Sequence, residues 1–461
     1  MYRAVRAYIK RGHRLFGYCI EKTLASARLY SRANFIVRQY ATAMDSFEQY
    51  KPMYSNQIDV YSMVKRITAG TKYEPSGKWI TYNTLDHLLK TTNDEAYYGL
   101  PAQSNQQTLR ILMRDYKSFF ESLKKYKAHP EIYTGRPKLP GYCKAGEYKT
   151  AVLTNQICRL EDGHQVKFPG TKTRLNLGKG TSGTLKEVRI VPEGDVFVIE
   201  VVLSYADEGI TIPQKAKEYN DALLDELVGY TDLSATRIVA IDPGVDNLCA
   251  LTNNFGEQPL LIKGTVLKSA NRYYNKRLAA LKSMAELCNN RRTTNRIQRL
   301  TRKRNAIVSD TLHKVSRYIA DYCKEHSVDI VVFGHNHGQK QRINIGTSNN
   351  QNFVQLPFEK LIRKLRYKLA AAGIRLAVTE ESYTSKADYL AMDAIPVYRE
   401  GADTKYTFSG KRIARGLYRH YDGSISNSDI NGSANTMRKV FPKVTQWDRG
   451  VVNTPCAVYV A

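Results

Sequence analysis

The sequence predicts a multidomain α+β chain, with a helical region and a small β-barrel in its first half and an alternating strand–helix domain in its second. Three observations carry this. Residues 237–251, RIVAIDPGVDNLCAL, set Ile238 and Ala240 at alternating positions before Asp242, and Pro243-Gly244 then turns the chain into a second strand that holds Leu248. Residues 150–205 break into short alternating runs separated by turn residues, the spacing of a small barrel. Residues 428–441, SDINGSANTMRKVF, open with Asp429 and repeat Ala434, Met437 and Phe441 at helical spacing.

In chain order, residues 1–10 alternate as a strand through Tyr2, Val5, Ala7 and Ile9. Helical patterns follow over about 13–47, 58–67, 82–93 and 102–127, with breaks at Asp86, Asn93 and Asp94 and a Gly/Pro/Ser-rich loop at 69–80. Residues 130–150 form a basic Pro/Gly segment that helices cannot use. TAVLTNQICRL, HQVKFPG, TRLNLG, EVRIV and DVFVIEVVLSY are the barrel strands, and the N-terminal strand closes the barrel, which makes the helical region an insertion in it. From 234 onward the pattern changes. Val308, Leu312, Val315, Ile319 and Tyr322 predict an amphipathic helix lying on a sheet. VDIVVFG (328–334) is a buried strand, Pro357 opens a helix with Phe358, Leu361, Leu365 and Leu369 as its stripe, and IRLAVTEE (374–381) is another strand. Strands and helices alternating between two aspartate motifs predict an RNase H-like domain, in which Asp242 after the first strand and Asp429 at the terminal helix frame a RuvC-type metal site.

Charge narrows the partners. Lys+Arg number 70 against 43 Asp+Glu, a net +27 spread along the chain, which attracts polyanions and reads as an extended nucleic-acid surface. A merely basic, ribosome-like protein has the same balance. Residues 263–304 concentrate it, with thirteen Lys/Arg and the single acid Glu286. A solvated helix face mixes signs, so this stretch is expected to lie against phosphates through Lys276, Arg277, Arg291, Arg292, Arg296, Arg299, Arg302, Lys303 and Arg304. The seven cysteines form no C-x-x-C pair, so neither a disulfide framework nor a zinc ribbon is expected. No run approaches the ~18 apolar residues of a membrane span, and the first residues lack the apolar core of a signal peptide. A cytoplasmic, nucleoid-associated prokaryotic protein is expected.

Several strings then carry a family resemblance: GRPKLPGY (135–142), VAIDPGVDNL (239–248), YYNKRLA (273–279), IVVFGHNHGQKQ (330–341), EESYTSKAD (380–388), FSGKRIARGLYR (408–419) and SDINGSANTMRK (428–439). In this order they resemble the TnpB family of compact, transposon-associated RNA-guided nucleases, ancestral relatives of the type V CRISPR effectors and the Fanzor proteins. The resemblance implies a wedge barrel over 1–12 and 130–232, a helical recognition domain over 13–129, and a RuvC-like nuclease domain over 233–384 and 428–445. It also implies a target-binding insertion over 385–427 and a C-terminal tail over 446–461.

Two departures from the family pattern stand out. In most members the strand matching IVVFG ends on the second catalytic glutamate, but here that position is Gly334. The neighbouring strand ends at Glu380-Glu381, and a glutamate there could reach over a glycine that has no side chain to block it. The resemblance includes a subgroup with such a relocated glutamate, so Glu381 is expected as the third carboxylate beside Asp242 and Asp429, with Glu380 as the fallback. The family's zinc cysteines are also missing between 387 and 427, so no zinc is expected there. Lys405, Lys411, Arg412, Arg415 and Arg419 would still reach the target strand, and His313, His335 and His337 read as polar contacts rather than ligands.

The implied activity is RNA-guided, Mg2+-dependent cleavage of double-stranded DNA at one RuvC site, Mn2+ substituting. Asp242, Glu381 and Asp429 would hold two ions that supply a water nucleophile and stabilise the leaving oxygen. A bound guide RNA would choose the sequence, with one protomer per RNA, and the protein would read only duplex shape and a short flanking motif. Ser104, Asn105, Gln106 or Gln107 are the candidates to read that motif, Ser104 also being a candidate cap. The chain would be transposon-borne or a compact type V effector. The alternatives are a guided repressor that no longer cuts, and a strand-transferring transposase.

Overall fold

The computed structural model describes residues 2–178, 183–204, 236–289, 293–336, 356–397, 406–442, 444 and 454–460. The chain divides into two compact units, residues 1–206 and 207–461. Among the described residues no helix is long and apolar enough to cross a membrane.

The first unit begins with β1 (Tyr2–Ile9), which pairs antiparallel along its whole length with β7 (Val196–Ser204), from Tyr2↔Ser204 to Ile9↔Phe197. Five helices lie between β1 and the next strand: α1 (Phe16–Glu48), α2 (Ser55–Thr68), α3 (Tyr82–Thr91), α4 (Glu95–Tyr98) and α5 (Ala102–Ala128). The helical region is thus inserted between strands of one sheet. β2 (Ala151–Thr154) and β6 (Thr184–Glu193) complete that sheet in the order β1-β7-β6-β2, while β3 (Arg159–Glu161), β4 (Gln165–Lys167) and β5 (Arg174–Asn176) form a second, three-stranded one. The described strands therefore make two sheets sharing a core of Ile9, Leu153, Phe168, Val188 and Ile199, rather than one continuous barrel. The three-residue strands of the smaller sheet are too short to extend the ladder around a full circle.

The second unit is built on a six-stranded sheet, order β12-β11-β8-β9-β10-β16. Its strands are β8 (Ile238–Pro243), β9 (Asn247–Asn253), β10 (Leu260–Lys263), β11 (Ile330–Gly334), β12 (Arg375–Thr379) and β16 (Cys456–Val458). β12, β11 and β8 run parallel, β9 returns antiparallel to β8, and β10 runs antiparallel to β9. β16 adds to β10 in parallel, so residues within the expected C-terminal tail contribute a strand. Between β10 and β11 lie α6 (Thr265–Asn289) and α7 (Asn295–Glu325); α8 (Phe358–Ala370) precedes β12. Val239, Ile241, Val331 and Phe333 pack on Val308, Leu312, Val315, Leu361 and Leu365, the stripes read from the sequence. Side chains alternate across a strand, so Ile238, Ala240, Ile330 and Val332 face the other way, against Met437 and Val440 of α9 (Ser428–Val440) and Phe441, which caps it. Each of the fully buried Ile, Val and Met side chains among them stabilises the unit by roughly 1.5–3 kcal/mol. A small sheet of β13 (Lys411–Ala414), β14 (Leu417–Arg419) and β15 (Ile425–Asn427) precedes α9 directly.

Candidate active site

Alternation decides where the first carboxylate points. Asp242 follows Ala240 on the α9 face of the sheet, at the C-terminal end of β8. Gly432 of α9 closes on it, and a Cβ at 432 would stand 2.7 Å from Asp242 Oδ2. Glycine inside a helix costs about 1 kcal/mol against alanine. Here it lets the helix backbone approach a carboxylate.

Glu381 arrives from the outer strand. β11 lies between β8 and β12, with Gly334 opposite Thr379, and two residues later Glu381 folds back across that glycine. A Cβ at 334 would stand 2.8 Å from both Cγ and Oε1 of Glu381. The missing side chain at 334 is therefore the space that the glutamate fills. Asn336 Oδ1 accepts from Glu381 N at 2.9 Å, and Thr384 Oγ1 donates to Glu381 O at 2.9 Å, which fixes the turn. Glu380 takes a different direction. Its carboxylate ion-pairs with Lys439 of α9 and accepts from Ser382 N at 2.6 Å.

Asp429 sits in the first turn of α9, whose N-cap Asn427 accepts from Asp429 N at 2.9 Å. Asn247 Nδ2 donates to Asp429 Oδ2 at 2.7 Å. The rest of α9 clamps the loop behind Glu381. Asn431 and Asn435 donate to Ala387 O at 2.9 and 2.6 Å, Asn435 also donates to Thr384 O, and Ser433 donates to Ala240 O at 2.9 Å. One helix thus ties together the strand bearing Asp242, the loop bearing Glu381, and Asp429 itself.

Electrostatically the three carboxylates form one group. Burial raises the Asp242 carboxyl well above the usual carboxylate range, the Glu381 and Asp429 charges raise it further, and Arg412 opposes them. Burial pushes Glu381 up to about 7. Its Oε1 is enclosed without a hydrogen-bond partner. Clustered carboxylate oxygens with one buried and unsatisfied are a donor set suited to a hard dication.

The expected nucleic-acid contacts divide. Lys276, Arg277, Arg296, Arg299 and Lys303 are exposed on α6 and α7, and Arg302 is half-buried. The two helices run antiparallel, held by Tyr274 with Thr301 (3.2 Å) and by Arg304 Nε donating to Asn271 Oδ1 at 2.7 Å. Arg304 therefore has a structural role between helices, half-buried with its charge disfavoured by burial. Lys411, Arg412, Arg415 and Arg419 are exposed on the small sheet, with Arg415 paired to Asp246. Arg291, Arg292 and Lys405, like His337, lie outside the described residues. Two expectations for the flanking-motif candidates need correction. The N-cap of α5 is Pro101, so Ser104 caps nothing, and Ser104 and Asn105 are 0% and 1% exposed, with Asn105 Nδ2 bound to Tyr97 O. Side chains buried in a helical core cannot reach a base edge; Gln106 and Gln107 stay half-exposed.

His335 pairs with Glu359 at 2.9 Å and His313 with Lys364 at 2.5 Å, polar contacts as expected. A buried polar cluster lies beside the small sheet of β13, β14 and β15. His420 bonds Asp388 at 2.6 Å and Ser426 at 2.7 Å, with the Asp388 and His420 side chains both 0% exposed. The sequence reading missed Asn247, Asn336, Asn431, Asn435 and Lys439. Their signal was available in one place, because Asn431, Ser433 and Asn435 make α9 too polar for a helix merely resting on a sheet.

Comparison with known proteins adds a family. Residues 231–339, a span that includes β8 to β11, match the model of a family described as probable transposases, OrfB of IS605 type. Over that stretch the chain is similar to the TnpB-type members of this family. No curated protein matches it significantly. Among solved structures it is similar to one described as a cryo-EM structure of the Cas12f1-sgRNA-target DNA complex, at 14% identity and TM-score 0.41, covering 90% of this chain and 82% of that one. A CRISPR-Cas12f ternary complex gives 13% identity and TM-score 0.30, over 92% and 82% of the two chains. An AacC2c1-sgRNA binary complex gives 9% and 0.29, over 94% and 71%. These scores lie below the level at which a shared fold follows.

Proposed function

We propose that this TnpB-like chain is an RNA-guided DNA endonuclease that depends on a divalent cation, Mg2+ first, and cuts double-stranded DNA at one RuvC-type site. The observation that carries the reading is Glu381 folded over Gly334 toward Asp242 and Asp429. A site lacking its usual glutamate regains a third carboxylate from the adjacent strand. Asp242, Glu381 and Asp429 would hold the cation, which when bound supplies an activated water and charge neutralisation at the scissile phosphate. Until then Glu381 keeps a proton to about pH 7, so its oxygens compete for a cation above that pH. Gly334 and Gly432 keep the approach free of side chains, and Glu380, paired with Lys439, takes no part.

The exposed cations of α6 and α7 support binding of a guide RNA or its heteroduplex, and those of the small sheet support contact with the target strand. In this reading the sheets and helices of the first unit serve as wedge and recognition domains, with the insertion over 385–427 needing no zinc. The protein is expected to copurify with a specific RNA, and a programmed guide should direct cleavage of a plasmid carrying the matching sequence in Mg2+ or Mn2+. Cleavage without RNA would overturn the reading. Guided binding with no cutting in any metal would make the protein a repressor, and joined products a transposase.

A further inference from the structure

We propose that Asn247, backed by Lys263, is the positioning residue that holds the Asp429 carboxylate in register for a cation. The proposal rests on the metal-dependent reading above and names a contact that reading does not contain. Lys263 Nζ donates to Asn247 Oδ1 at 2.8 Å, and Asn247 Nδ2 donates to Asp429 Oδ2 at 2.7 Å. The three groups form a directed chain from ammonium to amide to carboxylate. A reversed amide would set its NH2 against the ammonium and its carbonyl against the carboxylate, so the charges at both ends enforce one orientation.

Two features show that the fold builds this chain. The ladder between β9 and β10 is regular from Leu260↔Leu251 to Ile262↔Cys249, then shifts so that Lys263 lies opposite Asn247. Directly opposed residues on antiparallel strands share a face, so the irregularity turns a lysine and an asparagine toward the same point. Asn247 is also only 8% exposed although its side chain is polar. A buried amide needs partners at both ends, and among the described residues these two supply them. Lys263, one of the thirteen cations of the basic stretch, thus points its charge at the carboxylate site through Asn247.

The bond engages one carboxylate oxygen and restricts rotation of the group, leaving the other oxygen held in a fixed direction. Partners of this kind typically change metal affinity about 10–100-fold when removed. The test is a Mg2+ titration followed by thermal shift on the purified protein without RNA or DNA, repeated with Mn2+, beside cleavage at varied Mg2+. Asn247→Ala should raise the half-saturating Mg2+ about 10-fold or more in both assays, with excess Mg2+ recovering much of the rate. Lys263→Met, remote from the carboxylate, should shift it the same way by less, and Lys263→Arg should stay near wild type. If Asn247→Ala unfolds the protein, Lys263→Met alone decides. A shift lost in Asp429→Asn yet unchanged in Asn247→Ala and Lys263→Met would overturn the positioning role while leaving the metal site standing. No Mg2+- or Mn2+-dependent shift in wild type would overturn both.

Discussion

The end of the six-stranded sheet and the paired helices α6 and α7 use charge in opposite ways. At the sheet end, Asp242, Glu381 and Asp429 are gathered by one helix, two of them with their protons held more tightly by burial. On the helices the cations are many and mostly outward, and Arg304 turns inward to tie the helices together. Density of charge in a sequence therefore marks a surface, while convergence of a few like charges against their own repulsion marks a site. The buried group costs stability that a stable fold has no reason to spend without a ligand.

The largest effects test the convergent side. Asp242→Ala, Glu381→Ala and Asp429→Ala should each reduce plasmid cleavage to background while guided DNA binding persists, and Glu380→Ala should cut at a rate much closer to wild type. Equal full activity in both glutamate variants would remove Glu381 from the site. Next come the glycines. Gly334→Ala places a methyl where Glu381 lies, and Gly432→Ala one against Asp242. Displacing a catalytic group by about 1 Å costs on the order of a hundredfold, so both should lose about that much rate with little change in guided binding.

The pH response follows in size. Glu381 titrates at about 7 in the fold against an ordinary 4.5, so the folded state holds the extra proton. That contribution to stability is complete below about 4.5 and is lost as pH rises through about 7. Melting of the metal-free protein should therefore drop over that window, added Mg2+ should restore it above about 7, and Glu381→Gln should flatten the profile. A wild-type profile with the same flatness would place the carboxylate in water.

The smallest effect separates the two kinds of arginine. Replacing Arg296, Arg299 and Lys303 together should weaken RNA or heteroduplex binding and lower its salt slope by roughly 0.7–0.9 per lost phosphate contact. Arg304→Ala should instead lower the melting temperature, a hydrogen bond to a charged group being worth about 1.5–3 kcal/mol, and leave the slope nearly intact. The reverse pattern would dissolve the distinction between surface and clamp.

Much of this was present in local pattern. Ile238, Ala240 and Asp242 alternate, Val308 through Tyr322 repeat at helical spacing, and Ala434, Met437 and Phe441 mark one face of α9, because period 2 and period 3.6 are properties of a short segment. The close approach of Glu381 to Gly334 was also legible, since a glycine beside a strand ending in two glutamates leaves room for one of them to fold across it. What tertiary structure alone decided is long-range pairing and the direction of single side chains. Cys456–Val458 become a strand only because β10 offers a free edge, and residues 411–427 form a sheet from segments too short to show a period. Ser104 and Asn105 look like exposed polar residues in sequence and are buried by the helices around α5. Asn247 carries no local sign of its role. Its partners lie 16 and 182 positions away, and only a register shift in a ladder and the first turn of a distant helix bring them to its two ends.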